Sequence, residues 1–254
     1  MVIAVDSNDG DSHISPGEFG ENEIELLANS YNINLENNKR HEIFELSNGY
    51  PVYARYSVEA YTKNVNILEY GSLESYLEEL ICSLNNLEKA FLSLIICLGH
   101  LLRDGIEVKV ICGIDNRITK PVIKRLTTFS LITLYNNKIY IDKLISLKCM
   151  DFLSEYKNES YNQIYTYYKN LPDVSYIALL AALKSNFKYD KDLIKELLDK
   201  QYINNNFYIL IDIGELEFNR QINPHLREDK ACWIYVRYYY LKSLLELGLY
   251  DKAR

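Results

Sequence analysis

Three groups of residues in this chain have the types and spacings that chemistry requires. The first is the corner Ser47-Asn48-Gly49-Tyr50-Pro51-Val52. Apolar Ile43, Phe44 and Leu46 end a helical pattern just before it, Gly49 sits where a left-handed C-terminal cap is wanted, and Pro51 opens the next helix at a position whose amide is not needed. The flat proline ring is then free to lie against an aromatic ligand such as adenine. The second group is Arg117, Lys120, Lys124 and Arg125, which load the start of a single helix with cations. A helix that meets DNA phosphates and base edges needs basic residues at that end; the plainer reading is a solvated helix face, and the acidic balance of the chain favours it. The third is the run Tyr235-Val236-Arg237-Tyr238-Tyr239-Tyr240, which could stack on bases but on a helix is more often a packing surface.

Other chemistries lack their residues. No Gly-x-x-x-x-Gly-Lys-Ser/Thr loop occurs, and no apolar run ends in paired acids, so the backbone cradle, lysine and magnesium ligands of phosphoryl transfer are missing. By itself the chain is expected not to hydrolyse ATP, and no catalytic residue is assigned. His13, His41, His100 and His225 share no metal-ligand spacing with one another or with a cysteine, which leaves them as surface or capping residues and no metal site. Ser7, Ser12 and Ser15 lie near His13, but no strand-turn-helix elbow surrounds them.

The elements that must position these groups are mostly helical. The 254 residues are 48% hydrophobic, enough for a sizeable core in more than one module, and scarce Gly and Pro favour long helices over a turn-rich β fold. A formal charge of −7 with both signs interspersed gives no global field for nucleic acid or an acidic membrane face. The five cysteines are scattered among apolar residues and read as buried thiols of a reducing cytoplasm. No apolar run approaches the roughly 18 residues of a membrane span, and no signal peptide opens the chain, so a cytoplasmic protein without a membrane partner is expected.

Taken in order, residues 1–5 form a short apolar run before the polar segment 6–12, too short for a strand that stands alone and consistent with the end of a sheet or with a loose tail. Three helices follow up to about residue 64. Leu73, Tyr76, Leu77, Leu80, Ile81 and Leu84 repeat at helical spacing with Ser72 as N-cap, and Leu87, Ala90, Phe91, Leu94, Ile95 and Leu98 repeat it again. A short helix over 108–112, a turn and a helix over 118–129 lead into two β-rich runs around Asn136-Asn137, whose side chains tolerate the positive φ of a tight hairpin. Helices followed by a two-stranded hairpin make the order of a winged helix. Helices are then expected over 144–156, 161–169, 174–187, 191–203, 207–218 and 227–247, in the manner of an α-solenoid or bundle.

The corner Gly49-Tyr50-Pro51, the helix Glu23 to Tyr31 before it and the succession after it resemble the helical lid, winged helix and tetratricopeptide-like region of the signal-transduction ATPases with numerous domains, the STAND class of AAA-like proteins. The resemblance implies a mainly α fold with four parts: a remnant strand and linker over 1–14, a helical lid over 15–70, a winged helix over 71–142 and helical repeats over 143–254. It implies that Gly49 and Pro51 touch adenine, that Arg55, one turn on, faces phosphate, and that Asp142 lies on the nucleotide side. A polar sensor residue would fall near residues 6–8. In that family a His-Asp pair follows the wing; here Tyr140-Ile141-Asp142-Lys143 keeps the Asp and has Ile141 in place of the His, which puts direct phosphate contact in doubt. ATP or ADP would be bound only together with a nucleotide-binding domain that this chain lacks. The implied partners are that domain, or the same protein in an oligomer, and a protein ligand on the repeats.

Leu244 to Ala253 resembles a tetratricopeptide turn at Gly248, Tyr250 and Ala253, although Arg237 stands where the pattern has an aromatic. The sequence stops where a second repeat helix would start, so a piece of a longer chain is expected, with part of the apolar face of the last helix uncovered and a tendency to self-associate. The implied role is the regulatory part of a nucleotide-dependent signalling switch, with bacterial defence among the settings the resemblance suggests. The alternatives are a winged-helix DNA-binding regulator and a helical-repeat interaction scaffold of an immunity type.

Overall fold

The computed structural model describes residues 19–47, 51–62, 72–102, 105–171, 174–186, 191–218, 224–228 and 230–252. The expected strand over 1–5, the polar residues 6–8, Gly49 and Ala253 lie outside them. The chain divides into two compact units, 1–76 and 77–254.

The first unit contains α1 (Glu21–Ser30), α2 (Asn37–Ser47) and α3 (Pro51–Thr62), matching the three helices read from spacing. At the start of α1 the Glu23 carboxylate reaches back to accept from the Gly20 amide at 2.9 Å, satisfying a donor that the helix leaves free. Asn32, at φ 59°, ends that helix in the left-handed region an asparagine tolerates. Ile24, Ala28, Leu35, Ile43, Ala54 and Val58 form one core, with Phe19, Leu27, Ile33 and Phe44 packed on it. Arg40 pairs with Glu25 and lies 3.6 Å from Glu21, tying α2 to α1.

The second unit opens with the remainder of α4 (Leu73–Ser83) and α5 (Asn86–Gly99). The Ser75 amide donates to Ser72 Oγ at 3.2 Å, the expected cap of α4. Asn85 and Glu88 exchange amide-to-side-chain bonds of 2.9 and 3.0 Å at the start of α5. Phe91 to Leu98 are all buried, so α5 is covered on every side.

Next come β1 (Ile106–Glu107), α6 (Val108–Ile114), α7 (Lys120–Thr128), β2 (Thr133–Tyr135) and β3 (Lys138–Tyr140). The strands form an antiparallel sheet in the order β1-β3-β2, with Ile139 opposite both Ile106 and Leu134. Asn136 and Asn137 turn the hairpin at φ 48° and 60°. The segment thus runs helix, strand, helix, helix and hairpin, with the last strand central in the sheet. The strand β1 is an addition to the sequence reading: two residues carry no periodicity, and they are extended because β3 supplies the partner.

Beyond the sheet lie α8 (Lys143–Phe152), α9 (Ser154–Tyr168), α10 (Ser175–Lys184), α11 (Lys191–Ile203), α12 (Phe207–Phe218), α13 (Pro224–Glu228) and α14 (Lys230–Glu246). Helix α9 packs on α5 and α10, α11 on α10, α12 and α14, and α12 on α14. The chain is thus mainly α, a helical bundle and a small sheet followed by a helical array. Gly214 lets α12 approach α14, because a Cβ there would stand 2.2 Å from the Tyr240 ring. Gly248, at φ +71°, closes α14, and the Leu249 amide returns to the Leu244 carbonyl at 2.9 Å.

Two boundaries differ from the sequence reading. The break expected between 156 and 161 falls instead at Leu153, fully buried, and α9 runs straight through Lys157-Asn158-Glu159-Ser160. The polar run is helical because its side chains find partners across the fold. Ser160 Oγ donates to Ser93 Oγ at 2.9 Å, and Asn158 Oδ1 accepts from the Asn186 amide at 3.1 Å. The last helix, read as starting at 227, is preceded by helix already at Pro224–Glu228 (α13).

Candidate functional site

Pro51 is the exposed first residue of α3, as the corner requires, while Gly49 lies outside the described residues. Arg55, one turn on, is drawn along its own helix. Its Nε stands 3.6 Å from Glu59 Oε1, and its guanidinium lies 5.2 Å from the Tyr56 ring centre. The Tyr31 hydroxyl donates to the same Glu59 oxygen at 2.6 Å. Burial first, then that bond, push the Tyr31 hydroxyl up to about 12.

Of the four cations expected on one helix, Arg117 lies in the turn before α7 and the other three lie on α7, and they separate into two kinds. Arg117 grips Asp115 through Nε at 2.9 Å and Nη2 at 2.6 Å, which holds the Asp115 carboxyl below its usual range. Arg125 lies 3.3 Å from Glu88, donates to the Ser83 carbonyl at 3.2 Å and covers Phe129. Lys120 and Lys124 are exposed on α7. Only these two match what phosphate contact asks of that helix.

Asp142 precedes α8. Its carbonyl accepts from the Ser146 amide at 2.8 Å and its carboxylate from the Ile145 amide at 3.4 Å, the contacts of a residue that caps a helix start. Beside it opens a cavity of ≈ 760 Å³ in the second unit, whose walls come from the ends of α5 and α10, from β1 and β3, and from α8 and α12. Its apolar lining includes Leu102, Ile106, Ile139, Ile141, Leu147 and Leu180; its polar lining is His100, Lys143, Ser146, Lys184, Asp212 and Glu215.

His100 closes α5, as expected of a capping residue, but its ring also meets Ser146 Oγ through Nε2 at 2.8 Å. Burial, then the charges of Lys184, Lys157 and Lys143, hold its pKa below the ordinary histidine value. Half-buried Lys184 is pulled down likewise, by burial first and then by Lys157. Beneath them Cys97 is buried, its thiol raised to about 12 by desolvation, so it is an inert thiol. Sequence reasoning missed Lys184 and Ser146. No motif could have shown them, because the residues come from separate helices that meet only through packing.

The expected packing role of the tyrosine run is seen at Tyr239, whose hydroxyl donates to Asp199 on α11, and at buried Tyr240. Among the described residues no group of three or more His, Cys, Asp or Glu could hold a metal, and no helix is long and apolar enough to cross a membrane.

A comparison with solved structures finds the crystal structure of the Signal Transduction ATPase with Numerous Domains (STAND) protein with a tetratricopeptide repeat sensor from Pyrococcus horikoshii, at a TM-score of 0.51 and 16% identity, over 92% of this chain and 39% of that one. The chain has a STAND-like helical fold. At this identity the likeness is one of fold alone, and the chain spans well under half of the neighbour's length. No family model and no curated protein matches the chain.

Proposed function

We propose that the chain is the regulatory, carboxyl-side portion of a STAND-type nucleotide switch, with residues 15–70 as the helical lid, 71–142 as the winged helix and 143–254 as a tetratricopeptide-like sensor. The observation that carries this reading is the fold likeness over 92% of the chain to a STAND protein with a repeat sensor. The exposed Pro51 at the start of α3 supports it. In such a switch the lid and winged helix close over ATP or ADP held by a separate nucleotide-binding domain, Pro51 meets adenine, and Arg55 turns from Glu59 toward phosphate. A protein ligand on the repeats shifts the balance between the open and closed states. The test begins with the DNA upstream of Met1. A phosphate-binding loop encoded there in frame, or in a neighbouring gene, is expected. The joined or mixed protein should bind fluorescent ADP, and Pro51→Asp should weaken that binding. The reading fails if no such loop is encoded, or if the assembled protein ignores ADP.

A second reading, a helical-repeat interaction scaffold, is favoured by one surface. Ile234 (58% exposed), Tyr238 (50%), Leu241 (43%) and Leu245 (51%) form a stripe at helical spacing along α14. Sedimentation should show self-association that Leu241→Glu with Leu245→Glu abolishes. A monodisperse monomer at high concentration removes the support this stripe gives.

A further inference from the structure

We propose that the cavity bounded by α5, β1, β3, α8, α10 and α12 is a binding site for a small organic anion, a phosphate monoester or carboxylate with a short apolar body, whose charged end lies against Lys184, His100 and Ser146. This stands apart from the nucleotide-switch reading.

The charge on the cavity wall is the starting point. Among the described residues no carboxylate comes within ion-pair distance of Lys184, although the residue is half-buried and stands in the field of Lys157. A cation removed from water without a partner is a net cost to folding, and placing more positive groups beside it adds to that cost. His100 and Lys143 line the same space, and neither is an acid that could neutralise Lys184. Of the two acids on the lining, Glu215 lies 3.6 Å from Lys252, and Asp212 is only the weakest of the influences on Lys184. Negative charge is therefore wanted at the Lys184 end of the cavity.

Directional groups for an anion are present as well. The Ser146 hydroxyl and the His100 ring, held 2.8 Å apart, form a donor-capable pair. The remaining walls are aliphatic, and ≈ 760 Å³ lies within the range of small-molecule sites, in which an apolar body fills most of the space and a few polar groups fix its orientation. Because the walls combine the sheet with α8, α10 and α12, an occupant would join the β-containing segment to the helical array.

The experiment is calorimetric titration of the whole chain with phenyl phosphate and benzoate, which distinguish the two anionic heads, with inorganic phosphate for the apolar body and benzyltrimethylammonium for the sign of charge. One saturable site is expected for at least one aromatic anion, with weaker binding of inorganic phosphate and none of the cation. Lys184→Met should weaken the anion at least about tenfold, the scale of a lost charge-assisted contact, while Lys184→Arg retains it. Lys109→Ala, at a lysine 81% exposed on α6, should change nothing. The melting temperature of Lys184→Met should equal or exceed that of the parent, because a residue kept for a ligand and not for the fold is relieved by an apolar replacement. The proposal is overturned if no anion saturates, if Lys184→Met binds as the parent does, if Lys120→Glu with Lys124→Glu removes the binding instead, or if Lys184→Met melts lower.

Discussion

In the three-helix unit Arg40 pairs with Glu25 beside Glu21, Lys39 meets Glu42 at 2.7 Å and Arg55 approaches Glu59, whereas Lys184 in the second unit lines a cavity with His100 and no carboxylate at pairing distance among the described residues. In the first arrangement Arg40 ties α2 to α1, while the other two pairs lie within single helices. The second sets a half-buried cation against an open volume, an arrangement that burial penalises. Charges that complete one another locally belong to the scaffold, and charges left facing an open volume point to a ligand.

The largest effect in this comparison should come from the core of the second unit. Leu92 is fully buried in α5, and Leu92→Ala should destabilise the second unit by about 3 kcal/mol in denaturant unfolding, the cost of a core cavity. A loss below about 1 kcal/mol would show α5 to be a loosely packed support. Next in size is the contrast of two cations. Lys184→Met should leave the protein as stable or more stable, while Arg40→Met should cost about 1 kcal/mol by removing a link between α1 and α2. The same sign for both would erase the distinction.

Histidine titration followed by NMR sharpens it further. His41 is raised above 6.5 by its hydrogen bond to Glu21, and His100 is lowered below 6.5 by burial and neighbouring lysines. The signs for stability are opposite. The His41 contribution is present in full below 6.5 and is lost as pH rises through its folded pKa; the His100 contribution is present above 6.5 and is lost as pH falls through its own. His100→Asn should remove the acid-side decline, and equal pKa values for the two rings would contradict the contrast. The smallest effect is expected at α7. With Arg117 and Arg125 engaged, Lys120→Glu and Lys124→Glu should leave stability unchanged, and a low-salt gel shift should show no duplex binding. Strong binding, steeply weakened by salt, would instead favour the DNA-regulator reading.

Where local pattern and tertiary packing agree, the elements were legible in the sequence. The 3.6-residue spacing of Leu73 to Leu84 and Leu87 to Leu98 determined α4 and α5, Ser72 marked a helix start, and Asn136-Asn137 marked the hairpin, because each depends on residues close in the chain. Pro51 likewise announced α3. Only the tertiary structure decided the rest. The extended β1 exists through its pairing with β3, and α9 continues through a polar run because Ser160 and Asn158 find Ser93 and Asn186 on other segments. The charged cavity was hidden for the same reason. Ser146, His100 and Lys184 come from the ends or bodies of three helices that spacing describes one at a time, and the lack of a carboxylate at pairing distance from Lys184 among the described residues is a property of its neighbours in space, which no local pattern encodes.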